Sequence, residues 1–537
     1  MSAMSIKKMT PDIAKTLSLA EQHEWFQQRH SRRAILKGGL LGAGSLVAGP
    51  ALLSRTAQVV EAAGRPAPLL LSSTTPAKAS GVVPFGRHIS FGPDPTSEMR
   101  IAWQVAGPVA DPFVRIGTSP FDLGERIAAD LRDVNTPLTD ITFLDSVPPS
   151  LTGHEDQFYA HASTRHLDPG KTYYYVVGHR GFDPTAGVLT RGLISSFTTA
   201  PRGKVPFTFT AFGDQGSTYD AVATTNLILA QSPAFHLHAG DVSYAEDGGS
   251  GLITDAYDPR AWDSFFSEVE PTAKTVPWMV SLGNHEMEPW YSPDGYGADV
   301  KRLDFPGNGP SICPGTYFFT YGNVAFISLD PNDVSYELPA NFGYSDGRQT
   351  TWLGQTLKQL RNDSGIDFIV VFFHHCSYCT CTSHGSEGGV RQFWTPLFDQ
   401  YHVDLVINGH NHIYERTDPI RDGAPTVIKP IGATIYPAHD GTTYVAAGGA
   451  GKSLYAFSAP DSYEHHVDNV ASVASYVNEA GGTEVDETVH WSRVRYTGYN
   501  LMVVDVAPPS LGWTRMDVRT LNGSGVEIDR FTLARST

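Results

Sequence analysis

The chain has 537 residues, a hydrophobic fraction of 41%, 52 glycines, 37 prolines and a formal net charge of −17. This length exceeds one compact core and points to two domains, and the composition is that of a turn-rich globular protein rather than a disordered one. So acidic a chain is excluded as a general binder of nucleic acid or anionic membranes, so any anionic substrate must meet positive charge supplied locally, as a metal ion would supply it.

At the N-terminus, residues 31–37 read SRRAILK, and GGLLGAGSLVAGPALL follows at 38–53. Paired arginines before a short, weakly apolar, glycine-rich stretch resemble a twin-arginine export signal. The apolar stretch is shorter than the roughly 20 residues a spanning helix needs, which places a membrane anchor second. Residues 1–62 are therefore expected to be a removed signal, with a cleavage point near Ala62 and Ala63. The mature chain is expected in the periplasm, the cell envelope or the medium, without stable membrane insertion. The segment carries eight Lys/Arg and four Asp/Glu, so its loss moves the net charge from −17 to −21. Residues 63–81, rich in Pro, Ser, Thr and Ala, read as a linker.

Over 82–200 the runs MRIAWQVA, FVRIGTS, YYYVVGHR and LISSFTT are separated by turn signals such as DPG at 168–170. Short strands with no long amphipathic helix predict a β-sandwich with Trp103 in its core. PRGKVP at 201–206 marks a boundary, and the pattern then changes over 205–537. FTFTAF (207–212) precedes the helical window AVATTNLILAQ, and AFHLHA (234–239) precedes a loop and AWDSFFSEVE. VPWMVSL, VAFISLD, FIVVFF and VDLVIN follow, with TTWLGQTLKQLRND at helical spacing. Strands apolar throughout are buried on both faces, which predicts a layered α/β domain. The Tyr-Gly-Asn turn in TYFFTYGNVAFISLD adds an antiparallel pair.

Five of these apolar runs end in a polar cluster. FTFTAF leads to GDQG with Asp214, and AFHLHA to GDVSY with Asp241 and Tyr244. VPWMVSL leads to GNHE with Asn284 and His285, FIVVFF to HHCSY with His374 and His375, and VDLVIN to GHNH with His410 and His412. Ligands in open α/β sheets bind beyond the carboxyl ends of the strands. Each cluster alone reads as turn residues. Together they deliver carboxylates, a phenol, an amide oxygen and imidazoles to one edge, a donor set for iron, zinc or manganese. Two ions at such an edge suit displacement at phosphorus. In four clusters a glycine precedes the polar residue, where a sharp turn is expected.

Three other features read more plainly. His236 and His238 lie on a strand and are expected to pack or to support the site from behind. GGAGKS at 448–453 shares the end of a phosphate-cradling loop, but position 446 is alanine and LYAFSAP is no helix. It reads as a glycine turn at a strand end. The cysteines are Cys313, Cys376, Cys379 and Cys381. In an exported chain they are expected to form one or two disulfides, ahead of free thiols or a metal knot.

GDQG, GDVSY, GNHE, VFFH and GHNH, in this order, resemble the motif set of the calcineurin-like metallophosphoesterases and, through Tyr244, that of the purple acid phosphatases. HISFGPDPTSEMRIAWQ and LDPGKTYYYVVG resemble the fibronectin-like domain of that family's plant-type branch. The resemblance covers about 82–537. It implies a fibronectin III-like β-sandwich followed by a four-layer αββα catalytic domain. It further implies one ion, iron(III), on Asp214, Tyr244 and His412, a second ion (iron, zinc or manganese) on Asn284, His374 and His410, and Asp241 bridging them. By the VxxH spacing from Val371, His374 rather than His375 is the ligand. His285 is expected beside the phosphate, donating a proton or a hydrogen bond, and His384 in the pocket, with either of the two protonating the leaving alcohol and Glu387 a weaker pocket residue. CSYCTCTSHGSEGG departs from the plant pattern in its three cysteines and single histidine.

The activity implied is acid hydrolysis of small phosphate monoesters by a metal-bound hydroxide, with the oligomeric state left open. A phosphodiesterase or nucleotide hydrolase using the same site is the first alternative. A secreted, non-catalytic binding module is the second, and an intact set of seven ligands argues against it.

Overall fold

The computed structural model describes residues 82–137, 154–185, 193–247, 256–257, 259–287, 296–337, 341–457, 472–477 and 484–537. The expected signal and linker, residues 1–81, lie outside the described residues.

The first unit is two four-stranded antiparallel sheets. One orders Phe85–Phe91, Met99–Val105, His154–Thr164 and Asp130–Pro137; the other orders Arg126–Ala128, Phe113–Gly117, Thr172–Gly178 and Ser195–Thr198. Ile101 and Trp103 from one sheet and Tyr175, Val177 and Phe197 from the other share a core, and Trp103 is fully buried. This is the expected sandwich. Its strands at 130–137 and 154–164 are rich in charged and polar residues, and they owe their place to ladder pairing rather than to an apolar run.

The second unit contains two seven-stranded sheets. The first orders Trp278–Val280, Phe235–His238, Phe207–Phe212, Asn500–Ser510, Trp513–Asn522, Glu527–Ser536 and Thr434–Ile435. The second orders Tyr317–Tyr321, Val324–Ser328, Phe368–Phe373, Leu405–Asn408, Thr443–Ala447, Tyr414–Thr417 and Ser492–Tyr496. Side-chain alternation sets the layers. Phe209, Ala211, Met502 and Val504 of the first sheet meet Val370, Phe372, Leu405 and Ile407 of the second in one core. On the outer face of the first sheet, Phe212 and Val503 pack with Ile228, Trp262 and Phe265 of the helices Tyr219–Gln231 and Arg260–Ala273. On the outer face of the second, Ile369, Val371 and Phe373 pack with Leu353 and Leu357 of Arg348–Arg361 and with Trp394 and Phe398. The order is helix, sheet, sheet, helix. FTFTAF and FIVVFF are apolar on both faces because both faces are covered. The Tyr317–Tyr321 and Val324–Ser328 strands form the expected hairpin, turning at Gly322 with φ 58°.

The sandwich shares its core with this unit. Phe91 contacts Phe235, Phe319 and Tyr321, with ring centroids 5.8–6.0 Å apart. Burying such a ring is worth about 2–3 kcal/mol. Beside it, Arg87 Nε lies 2.5 Å from Glu270 Oε1, and Glu270 Oε2 accepts from the Gly86 N–H at 2.9 Å. The strands that lead to the polar clusters run parallel within each sheet. Their carboxyl ends therefore emerge at one edge.

Candidate metal centre

At that edge the loops after Phe212, His238, Val280, Phe373, Asn408 and Ala447 are laced together. Asp214 N–H donates to Gly240 O at 3.1 Å, Gly409 N–H to His374 O at 2.9 Å, and Gly213 N–H to Ala447 O at 2.9 Å. Glu286 of the GNHE turn accepts from the N–H groups of Asp241 (2.8 Å), Val242 (2.8 Å) and Gly283 (2.9 Å). One buried carboxylate thus fixes two ligand loops to each other.

The glycines serve closeness more than turning. Gly240 is at φ 81°, whereas the sharp backbone turns fall on Asp214 (φ 64°), Asp241 (52°), Tyr244 (51°) and His410 (68°). Non-glycine residues in this region are uncommon and strained, and they concentrate at functional sites. A Cβ on Gly409 would stand 2.6 Å from both Ala239 O and Asp214 Oδ2, and one on Gly283 would stand 2.0 Å from Asp241 Oδ1. The sharp turns expected at glycine thus fall mainly on the polar residue that follows, and glycine is required because the loops touch.

Predicted donors come together in two groups, one on Asp214 and one on Asp241, with His374 Nε2 of the second 4.0 Å from Asp214 Oδ1 of the first. In the first, Tyr244 Oη donates to Asp214 Oδ1 at 3.1 Å and lies 2.9 Å from His412 Nε2, which is itself 3.3 Å from Asp214 Oδ1. In the second, His374 Nε2 is 3.0 Å from Asp241 Oδ2 and 3.1 Å from His410 Nδ1. Asp241, His374 and His410 offer ligand atoms within 4.8 Å of one another. The far nitrogens are anchored: His374 Nδ1 on Ala239 O at 2.9 Å and His412 Nδ1 on Ser453 O at 2.7 Å. Such backing orients an imidazole toward a metal.

The residues fit a cation. Asn284 Oδ1 is buried and has no hydrogen-bond partner, the state of a carbonyl oxygen that awaits a ligand. Burial opposes charge on His374, yet Asp241 and Asp214 push its pKa up to about 10, so the pocket stabilises positive charge. Burial opposes charge on Asp241 as well, and His285 and His374 override it to hold its carboxyl well below the usual range. Asp214, Asp241, Tyr244, Asn284, His374, His410 and His412 are the donor set for hard and borderline metals.

His285 stands at the rim, with its ring 4.5 Å from that of Tyr244 and Nε2 3.5 Å from Asp241 Oδ2. His384 is half-buried at the mouth, with its ring centroid 4.1 Å from that of His410. Glu387 is placed otherwise. Its carboxylate accepts from Ser335 Oγ (3.0 Å), Tyr336 N–H (2.7 Å) and Gly389 N–H (3.0 Å), capping the helix Gly388–Phe393. These contacts make it a brace of the pocket wall. His375 is fully buried beside His410, with ring centroids 4.3 Å apart. His236 and His238 pack on Phe212 and Trp278 under the helix layer, and burial pushes His238 down to about 3, so it is neutral.

All four cysteines are buried free thiols, which corrects the expectation of disulfides. Cys376, Cys379 and Cys381 form a small apolar cluster with Ile413 and Ala446 behind the ligand loops, and Cys376 Sγ donates to Gly409 O at 2.9 Å. They serve there as small packing residues.

Three groups at the site carried no motif to mark them. Glu337 reaches His410, His375 and His384 from a loop several residues beyond the apolar run Val324–Ser328, past the turn at Pro331–Asp333. Lys452 belongs to the GGAGKS segment, which forms the expected loop after Thr443–Ala447, and Tyr455 follows two residues beyond its end. That loop also lines the site: the Tyr455 ring stacks on His412 at 4.0 Å.

Comparisons with known proteins agree with this geometry. The sequence profile of the calcineurin-like phosphoesterases matches residues 207–414, and that of the purple acid phosphatase N-terminal domain matches residues 84–199. An uncharacterized protein of Mycobacterium tuberculosis is 31% identical, over 85% of this chain and 88% of its own length. Purple acid phosphatase 18 of Arabidopsis thaliana is 28% identical, over 66% of this chain and 71% of its own. The fold is shared with purple acid phosphatase PPD1 from yellow lupin seeds (TM-score 0.63, 19% identity, 85% of this chain and 75% of that one) and with PhoD (TM-score 0.51, 12% identity, 85% and 91%). The chain belongs to the calcineurin-like phosphoesterases and, within them, to the two-domain purple acid phosphatases, hydrolases that act as phosphatases.

Proposed function

We propose that the chain is an exported acid phosphatase that hydrolyses small phosphate monoesters at two metal ions, iron(III) and a divalent iron, zinc or manganese. Asp214, Tyr244 and His412 would hold the first, Asn284, His374 and His410 the second, with Asp241 between. The observation that carries this reading is the division of the donors into a group on Asp214 that contains the Tyr244 phenol and a group on Asp241 that contains His374 and His410. Bound there, such ions neutralise phosphate oxygens and acidify water.

The chain's own residues do the rest. His285, at the rim beside Tyr244, offers a donor to a phosphate oxygen. His384 Nδ1 is held by Glu337 Oε1 at 2.9 Å, which leaves Nε2 toward the mouth near Tyr455 Oη at 3.5 Å. From there Nε2–H gives its proton to the alkoxide oxygen as the P–O bond breaks. Export rests on SRRAILK and its apolar neighbour, and Arg32→Lys with Arg33→Lys should retain the protein in the cytoplasm if the twin-arginine reading holds.

The test is the visible spectrum and metal content of the mature chain, with rates on a monoester and its diester. A broad band that vanishes in Tyr244→Phe, about two metals per chain and a faster monoester rate support the proposal. A metal-replete protein that releases no phosphate would overturn it, and a faster diester rate would move the substrate class.

A further inference from the structure

Glu337 joins a candidate ligand to the rim of the pocket. Its Oε2 lies 2.7 Å from His410 Nε2 and 3.4 Å from His375 Nε2, and its Oε1 lies 2.9 Å from His384 Nδ1. The opposite nitrogen of His410, Nδ1, faces His374 Nε2 at 3.1 Å on the Asp241 side. A neutral imidazole has one N–H and one lone pair. A carboxylate on Nε2 selects the tautomer whose lone pair is on Nδ1, pointing inward. Carboxylate–histidine pairs of this kind orient metal ligands, and their loss weakens metal binding.

The carboxylate is itself held in place. Ser335 Oγ accepts from the Glu337 N–H at 3.1 Å and donates to Glu387 at 3.0 Å, and Glu387 also takes the Tyr336 N–H at 2.7 Å. Glu387 N–H in turn donates to Cys376 O at 2.8 Å, two residues past His374. The segment bearing Glu337 is thus tied back to the loop that bears the ligand.

The geometry points to Glu337 as a positioning residue. It holds His410 with Nδ1 turned to the ion shared with His374 and, through its second oxygen, holds His384 over the mouth. This inference rests on the two-ion reading above. It assigns to one side chain both the retention of the His410-side ion and the placement of the leaving-group donor.

The experiment compares wild type, Glu337→Gln and Glu337→Ala, each loaded with metal and characterised by metal analysis, release of the divalent ion to a competing chelator, and separate kcat and KM. If wild type holds no second ion, the two-ion reading has failed before Glu337 is tested. With two ions bound, Glu337→Ala is expected to release the divalent ion about 10–100-fold more readily while keeping the Tyr244-side ion and its visible band. Its kcat should fall more than its KM rises. Glu337→Gln, whose single amide oxygen can accept from only one of the two imidazoles, should lie between. Thermal melting of the metal-free forms checks folding, and if Glu337→Ala fails to fold, Glu337→Gln alone decides. Wild-type ion release and wild-type kcat in a folded variant would overturn the inference, as would equal loss of both ions.

Discussion

The ammonium nitrogen of Lys452 stands 4.3 Å from the centroid of the Tyr244 ring, and the Lys452 N–H donates to Asp214 O at 3.1 Å. A cation placed over an aromatic face gains about 0.5–2 kcal/mol, enough to bias where the side chain rests. The site therefore carries a positive group of its own, in a chain whose net charge is −17. Lys452→Ala is expected to raise KM for a small phosphomonoester by about tenfold, or ~1.4 kcal/mol, with a smaller effect on kcat. Inhibition by inorganic phosphate should weaken in parallel. Steady-state kinetics at low salt checks both, and unchanged KM and phosphate inhibition would remove Lys452 from the site.

Gly283 has no room for a methyl group. Its Cβ would meet Asp241 Oδ1 at 2.0 Å and Asp241 N at 2.6 Å, and neither atom can retreat without moving the loop that Glu286 clamps. Gly283→Ala should destabilise the fold by about 1–3 kcal/mol and lower metal content. Gly107→Ala, where nothing stands within 4 Å, is the control. Equal melting temperatures and equal metal in the two variants would contradict the packing argument.

The cysteine arrangement makes a chemical prediction. Cys313, Cys376 and Cys379 are fully buried and Cys381 is 5% exposed. Burial pushes the thiols of Cys313 and Cys379 up, away from the reactive thiolate form, whereas the hydrogen bond with Cys379 lowers Cys381, which burial alone shields. The native protein should resist a thiol reagent, and the chain unfolded without reductant should take up four labels. Two labels or none would mean that a disulfide forms after all.

What the sequence disclosed depended on whether chemistry sat next to an apolar run. Asp214, Asp241, Asn284, His374 and His410 each follow a strand that is apolar because it is covered on both faces, so a strong periodic signal points to each of them. Glu337 follows a 3-10 turn at Pro331–Asp333, and its place is set by Glu387, 50 positions further on. Contacts across such separations leave no local pattern. Glu387 shows the converse. Its position three residues after His384 suggested the pocket, but its carboxylate is drawn to nearby backbone N–H groups at the start of a helix. The sandwich strand His154–Thr164 was hidden by its histidines and acids, yet Gln157 and His161 are buried there because Asp263 and Asp304 take up their polar atoms. The cysteine expectation rested on compartment, and burial of the thiols against Ile413 and Ala446 decided otherwise.

The last prediction concerns the joint between the two sheets. Asp529, on Glu527–Ser536 of the first sheet, lies 2.6 Å from Arg416 Nε and accepts from Tyr414 Oη at 2.8 Å, both on Tyr414–Thr417 of the second. Both charged side chains are fully buried. An ion pair so placed contributes little net stability over an apolar replacement, because each charge was taken out of water. Removing one partner is a different matter, since the other stays buried and unpaired. Asp529→Asn is expected to cost about 3–5 kcal/mol, whereas Arg416→Met with Asp529→Leu should recover most of that loss. Neither Arg416 nor Asp529 belongs to the donor set, so metal content in the folded fraction should not change. Denaturant unfolding of the three proteins gives the answer: a single variant within about 1 kcal/mol of wild type would show that water reaches the joint and screens the pair.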